Sequence, residues 1–281
     1  MRILVTGAGG YLGCGSVKAL LDAGAEVAAV DINTDHTDRR ADIYTLDLFA
    51  EKDLFKKTGV PDAVLHLAWR NGFNHNAETH IGDLPRHTEF IEYCAENGVK
   101  RICTMGSMHE IGVFEGSIRE DTPCNPANFY GIAKNALRQA AKLICQKNGV
   151  VFQWLRGYYI VGNPQFGCSV FSKIYEAQQN GKEKFPFTSG KNQYDFLDYD
   201  DFCRLTAAAA MQDGVDGIIN ICSGEPEALG ARVERFIKEN GYKIKLDYGA
   251  FPDRPYDCKA VWGDSRKIDL IMKNAADKKD E

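Results

Sequence analysis

Six short apolar runs recur along this chain with helix-length segments between them: RILV (2 to 5), EVAAVD (26 to 31), AVLHLA (63 to 68), RICTMG (101 to 106), VFQWLRG (151 to 157) and IINICS (218 to 223). Runs of this length with little polar alternation read as strands buried on both faces. Strands joined through helices lie parallel, so the rhythm predicts an α/β chain with a doubly wound parallel sheet. The intervening helices are expected in YLGCGSVKALLDAG, around residues 78 to 97, in NPANFYGIAKNALRQAAKLICQKNG and in DDFCRLTAAAAMQDG, several of them stopping at a glycine.

The rhythm holds to about residue 160 and loosens after GNPQFG. This predicts a sheet domain made of residues 1–164 plus 195–223, and a smaller C-terminal substrate lobe made of 165–194 plus 224–281. A chain of 281 residues with 44% hydrophobic and 26% charged residues can bury such a core. The net charge of -5 and the lack of a basic block argue against a nucleic-acid partner, and no apolar stretch reaches membrane-spanning length. The N-terminus enters a strand pattern without a leader, so a cytoplasmic protein is expected. Nine cysteines with no CxxC pair suggest neither a disulfide framework nor a metal site. Most are expected to be reduced and buried.

Gly7, Gly10 and Gly13, in TGAGGYLG, stand three apart between a strand and an amphipathic helix. That spacing allows a tight turn, brings backbone N–H groups of the Gly10–Gly13 stretch, Tyr11 and Leu12 included, toward a pyrophosphate, and sets the anion at a helix N-terminus. The parallel sheet is then a Rossmann sheet. Asp31 closes the second run, where a carboxylate can accept both ribose hydroxyls of adenosine and repel a 2′-phosphate. NAD is expected as the cofactor, with NADP left open by the nearby Arg39 and Arg40.

Tyr130 and Lys134, in FYGIAKNALRQ, share one helix face by their spacing of four. A phenol ionises near pH ~10 and becomes a useful acid-base group when an ammonium stabilises its phenolate. Lys134 can supply that charge. Ser107, just past an apolar strand, can hold the reacting oxygen for Tyr130, with Thr104 the other hydroxyl nearby. The expected catalytic residues are therefore Ser107, Tyr130 and Lys134.

TGAGGYLG, Asp31, LDL (46 to 48), HLAW (66 to 69), GSMHEIG (106 to 112), YGIAK (130 to 134) and LRGYYIVGNP (155 to 164) together resemble the successive motifs of the extended short-chain dehydrogenase/reductases, the NAD-dependent epimerase/dehydratase group. YDFLDYDDF, NICSGEP and DRPYD follow in the same order, so the resemblance covers nearly the whole chain. It implies that Asp47 and Leu48 flank the adenine and that Leu67 and Ala68 line the cofactor. It also implies that Lys134 binds the nicotinamide ribose, and that Tyr158 and Tyr159 lie where the chain passes nicotinamide and substrate. Met108 and His109 then join Ser107 and Tyr159 on the substrate side, and Arg254 touches the diphosphate of a nucleotide-activated sugar. A homodimer is compatible with the same resemblance.

Departures from the pattern narrow the reaction. Dehydratases of the group place Asp-Glu after the catalytic hydroxyl, whereas Met108 and His109 stand here. GSMHEIG and SIREDTPCNPANFYGIAK resemble the 4-ketoreductases of deoxysugar nucleotides, so reduction of a nucleotide-linked 4-keto-(deoxy)sugar is the expected function. Glu110 within that motif reads either as an orienting group or as a satisfied polar residue. Tyr194 replaces an arginine and Tyr159 an asparagine of the common pattern, which thins the diphosphate contacts to Arg254 with Lys173 or Lys191. The alternatives are a nucleotide-sugar 4-epimerase and, since Ser-x-His-x-Ile-Gly also occurs in uronate dehydrogenases, an NAD-dependent dehydrogenase of a free sugar or uronic acid. A non-enzymatic Rossmann sensor is a further reading, which the retention of Ser107, Tyr130 and Lys134 disfavours.

Overall fold

The computed structural model describes residues 1–253 and 258–277. Its central sheet has seven strands in the spatial order Gly217–Ile221, Val151–Gly157, Arg101–Ser107, Ala63–His66, Arg2–Thr6, Glu26–Asp31, Asp42–Thr45. Every pairing in it is parallel. The chain builds outward from Arg2–Thr6 to one edge, then starts the other half at Ala63–His66. Strand order reverses between those two strands, and ligands of such sheets lie in the crevice at the carboxyl ends there.

The six expected strands are all in this sheet. The seventh, Asp42–Thr45, is an edge strand of four partly exposed residues, too short and too solvated to show a burial period. On one face, helices Tyr11–Asp22, Tyr199–Met211 and Arg266–Asp277 bury Val17, Leu20, Phe202, Leu205, Ile268 and Ile271 against it. On the other, Leu84–Glu96 and Phe129–Asn148 bury Phe90, Ile91, Leu137 and Ala141. The helical segment around residues 78 to 97 is broken: a short turn Thr79–Gly82 precedes Leu84–Glu96, whose first turn holds a proline, the place where a missing N–H costs least.

A second sheet runs Pro226–Ala228, Gln193–Asp198, Ala260–Gly263, Gly116–Ile118, with Tyr159–Val161 pairing Gln193–Asp198. Several segments depart here from the partition expected of the sequence. Gly116–Ile118 and Tyr159–Val161 leave the first domain to serve the second sheet, and Arg266–Asp277 leaves the small lobe to pack on the first. Such pairings are fixed by residues far apart in sequence, which no local pattern records. Asp195, wholly buried, joins the parts: it accepts from Ser223 N at 2.8 Å, Ser223 Oγ at 2.7 Å, Gly224 N at 2.9 Å and Gly263 N at 3.1 Å.

Candidate active site

The first strand ends at Thr6, and Gly7 turns the chain at φ +71, where a side chain would be strained. A Cβ at Gly7 would also meet the Ala68 nitrogen at 2.6 Å, and one at Gly13 would meet the Gly7 carbonyl at 1.9 Å, so both glycines are demanded by close packing. Gly9, which the spacing argument passes over, has no room either: its Cβ would lie 1.8 Å from the Asn33 carbonyl. Helix Tyr11–Asp22 then starts at Gly10 with no capping side chain and no acidic residue in its first turn. Its first amides have no intrahelical partner, which suits an anion. Asp31 accepts from Gly9 N at 2.9 Å on one oxygen and from Asn33 N at 3.2 Å on the other. It braces the turn, and each carboxylate oxygen keeps a second acceptor site.

Ser107 is the last residue of its strand, and its hydroxyl accepts from His109 N at 3.3 Å. Thr104 is wholly buried three residues earlier and does not reach the edge. Gly106 makes the approach possible, since a Cβ there would lie 2.0 Å from the Trp154 ring nitrogen. Helix Phe129–Asn148 opens with Asn128 accepting from Gly131 N at 2.8 Å, while the amide of Tyr130 donates to the His75 carbonyl at 2.9 Å. Tyr130 thereby faces Ser107. Burial pushes its phenol up to about 12, and a hydrogen bond with the Ser107 side chain works the other way. At neutrality Tyr130 keeps its proton.

Lys134, one turn on, is 3% exposed, and its Nζ donates to the Met105 carbonyl at 2.8 Å. The ammonium lies 3.8 Å from the Trp69 ring centroid and 5.8 Å from that of Tyr130. Burial brings its pKa down to about 7, with the Glu110 carboxylate opposing. Glu110 is itself wholly buried, accepting from Arg156 Nε at 2.6 Å and Trp154 Nε1 at 2.8 Å. The ion pair with Arg156 pins the turn Met108–Glu110 that directly follows Ser107.

The rings around Tyr130 come largely from the segment 69–80, of which the sequence motifs reach only Trp69. His75 stacks on Tyr130 at 5.2 Å and 12°, His80 lies 5.2 Å away and Trp69 6.0 Å away, and His109 meets His75 at 4.2 Å. Beneath them Thr6 Oγ1 is 2.7 Å from His66 Nδ1, and His66 Nε2 is 2.9 Å from His87 Nδ1. Burial lowers the pKa of His66 far below its usual value and that of His87 to about 3. These rings stay neutral in the fold while the unfolded chain takes up protons below pH ~6.5, so stability is full above that pH and is lost as pH falls toward 3. His87 alone should account for a loss of about 2 kcal/mol between pH 7 and pH 5. Urea unfolding of His87→Gln should therefore show a shallower dependence on pH over that window than the native chain; an equal slope would contradict the assignment.

A model of the NAD dependent epimerase/dehydratase family matches residues 3–222. The chain belongs to that family. As a member of the NAD-dependent epimerase/dehydratase family it is an enzyme of the extended short-chain dehydrogenase/reductase type. It is 43% identical over 272 residues to the dTDP-6-deoxy-L-talose 4-dehydrogenase (NAD(+)) of Aggregatibacter actinomycetemcomitans, covering 94% of this chain and 99% of that protein. Among solved structures, the UDP-glucuronic acid 4-epimerase of Bacillus cereus in complex with UDP-glucuronic acid and NAD superposes with a TM-score of 0.81 at 22% identity, over 97% of this chain and 93% of that one. The UDP-glucose 4-epimerase of Thermotoga maritima gives 0.80 at 23%, over 96% and 92%.

Of the other residues expected at the site of this epimerase/dehydratase-family chain, some are buried and some half-buried or exposed. Tyr158 is buried with its hydroxyl 3.3 Å from Asn220 Oδ1, and Met108 is buried in the same small core with Ile118, Cys222 and Val261. Their side chains face inward, because both follow strand ends at which the second sheet closes over them. Leu48 likewise joins the core, while Asp47 is exposed and accepts from Phe49 N at 2.9 Å. Tyr11 turns its phenol to the Gly162 carbonyl at 3.0 Å, leaving its amide to the helix N-terminus. Leu12, Leu67 and Ala68 are half-buried beside the glycine turn. His109 is half-buried next to Tyr130, and Tyr159 packs its ring 4.7 Å from Tyr194, so the two departures from the family pattern meet. Arg254 lies outside the described residues.

Proposed function

We propose that this chain is an NAD-dependent oxidoreductase that interconverts the 4-hydroxyl and 4-ketone of a nucleotide-linked 6-deoxyhexose. The observation that carries this reading is the 43% identity to a dTDP-6-deoxy-L-talose 4-dehydrogenase across almost the full length of both proteins. Bound NAD supplies hydride exchange at the nicotinamide. Gly7, Gly10 and Gly13, with the amides of Tyr11 and Leu12, hold its pyrophosphate, Asp31 its adenosine ribose, Asp47 and Leu48 the adenine edge, and Leu67 and Ala68 the crevice wall. Tyr130 gives its proton to the ketone oxygen in reduction and takes it back in oxidation, Ser107 holds that oxygen, and the Lys134 ammonium stabilises the phenolate. His109 and Tyr159 face the sugar, with Met108 as backbone support and Arg254 on the diphosphate. The nine cysteines are free thiols, which suits a cytoplasmic location.

Arg40 supports NAD over NADP. Its guanidinium is engaged with Asp38 and, at 2.8 Å, with Asp22, so it is not held for a 2′-phosphate, which would meet the charge of Asp31 instead. NAD(H) should bind at least ~tenfold more tightly than NADP(H) in calorimetric titration, and equal affinities would overturn the cofactor assignment. The reaction is tested by supplying NAD+ with dTDP-6-deoxy-L-talose, UDP-glucose or glucuronate. NADH should accumulate with the first. Conversion of UDP-glucose to UDP-galactose without net NADH would make the chain an epimerase, and faster oxidation of glucuronate would make it a uronate dehydrogenase.

A further inference from the structure

We propose that Trp69 is a positioning residue for Lys134, its indole face holding the ammonium beside Tyr130 and favouring its charged state. This rests on the reading of Tyr130 and Lys134 as the acid-base pair. The Lys134 Nζ is 3.8 Å from the Trp69 ring centroid and 2.8 Å from the Met105 carbonyl oxygen. An ammonium carries three protons, so the carbonyl and the ring face take two directions and one remains for a ligand. A lysine this deeply buried has lost its hydration, and the negative face of an indole is the strongest aromatic replacement for it.

Trp69 is itself held at a ring face and at its ring N–H. His87 stacks on it at 4.4 Å and 19°, and its ring N–H donates to His80 Nδ1 at 3.0 Å. An imidazole that accepts at Nδ1 keeps its proton on Nε2, so His80 donates onward to the Asn74 carbonyl at 2.8 Å. His87 is tied through His66 to Thr6, immediately before the glycine turn. The indole cannot swing from the ammonium without breaking one of these chains.

The other ionisable groups that face Lys134 do not substitute for the ring. Tyr130 on the same helix is neutral, as are His66 on its strand and His87 on Leu84–Glu96, and both histidines are disfavoured from charging by the ammonium. Glu110 favours the charge, yet its carboxylate is already bonded to Arg156 and Trp154. The phenolate formed at Tyr130 needs a charged neighbour, and Trp69 helps keep one there at the pH of catalysis.

The test is the titration of Lys134 in the full chain, followed by NMR of lysine isotope-labelled at Cε, with its signal identified by loss in Lys134→Met. The native midpoint should lie near 7. Trp69→Leu should lower it by about one unit, and Trp69→Phe, which keeps a weaker ring face, by less. The alkaline limb of the kcat profile should move in the same direction, while KM for NAD stays within about twofold. A midpoint that holds or rises in the leucine variant overturns the proposal; where that variant does not fold, an unchanged midpoint in Trp69→Phe does so. The titration needs no substrate. A Trp69-dependent midpoint in a chain inert toward dTDP-6-deoxy-L-talose would therefore sink the proposed function and leave this inference standing.

Discussion

Tyr130→Phe should lower turnover by ~10²–10⁴, the range for a lost acid-base group, with dinucleotide affinity almost unchanged. The variant removes one hydroxyl and keeps the ring, so the stacking of His75 at 5.2 Å and the helix start at Asn128 are preserved. What it removes is a proton donor that faces Ser107 and whose pKa burial raises to about 12. A phenol in that state holds its proton until the substrate oxygen gains charge. Turnover measured at saturating NAD+ and sugar nucleotide, with cofactor affinity by calorimetry, checks the prediction. Activity within a few-fold of native would move the acid to another residue, with His109 next in line.

Glu110→Leu should destabilise the fold by about 3–5 kcal/mol, because it strands the Arg156 guanidinium in the interior. Both side chains are 0% exposed, and among the described residues Arg156 otherwise bonds to the Arg119 carbonyl at 3.1 Å and Asn220 Oδ1 at 3.4 Å. Breaking a buried pair costs more than removing it whole. Glu110→Leu with Arg156→Met should recover much of the loss, and urea unfolding of the three chains measures this. Turnover should fall in both variants, since the turn after Ser107 loses its anchor. A single variant as stable as native would mean that water reaches Arg156 and that the turn is held by other contacts.

The parts of the site that the sequence announces are those built by neighbours along the chain. Gly7 to Gly13 and the Tyr130–Lys134 spacing each fit within two turns of helix, so turn sterics and helical period suffice to place them. Asp31 and Ser107 mark strand ends that apolar runs delimit. The rest depends on contacts between distant segments. Glu110 meets a partner 46 positions away, and Trp69, His75 and His80 become a box around Tyr130 only after a loop folds across the carboxyl edge. That loop shows no period, being largely irregular backbone, although four rings within twelve residues, Trp69, Phe73, His75 and His80, stand soon after a strand. Tyr158 and Met108 were legible as positions and not as orientations, because the sheet that turns them inward is gathered from five separated segments.

Asp195 carries a mechanical implication. Its two oxygens gather donors from the loop that leaves the central sheet, at Ser223 and Gly224, and from the second sheet, at Gly263. A hinge between the lobes would have to strip a buried carboxylate of its partners, and a stranded charge of that kind is among the costliest things a protein interior can hold. The two lobes therefore travel as one rigid jaw.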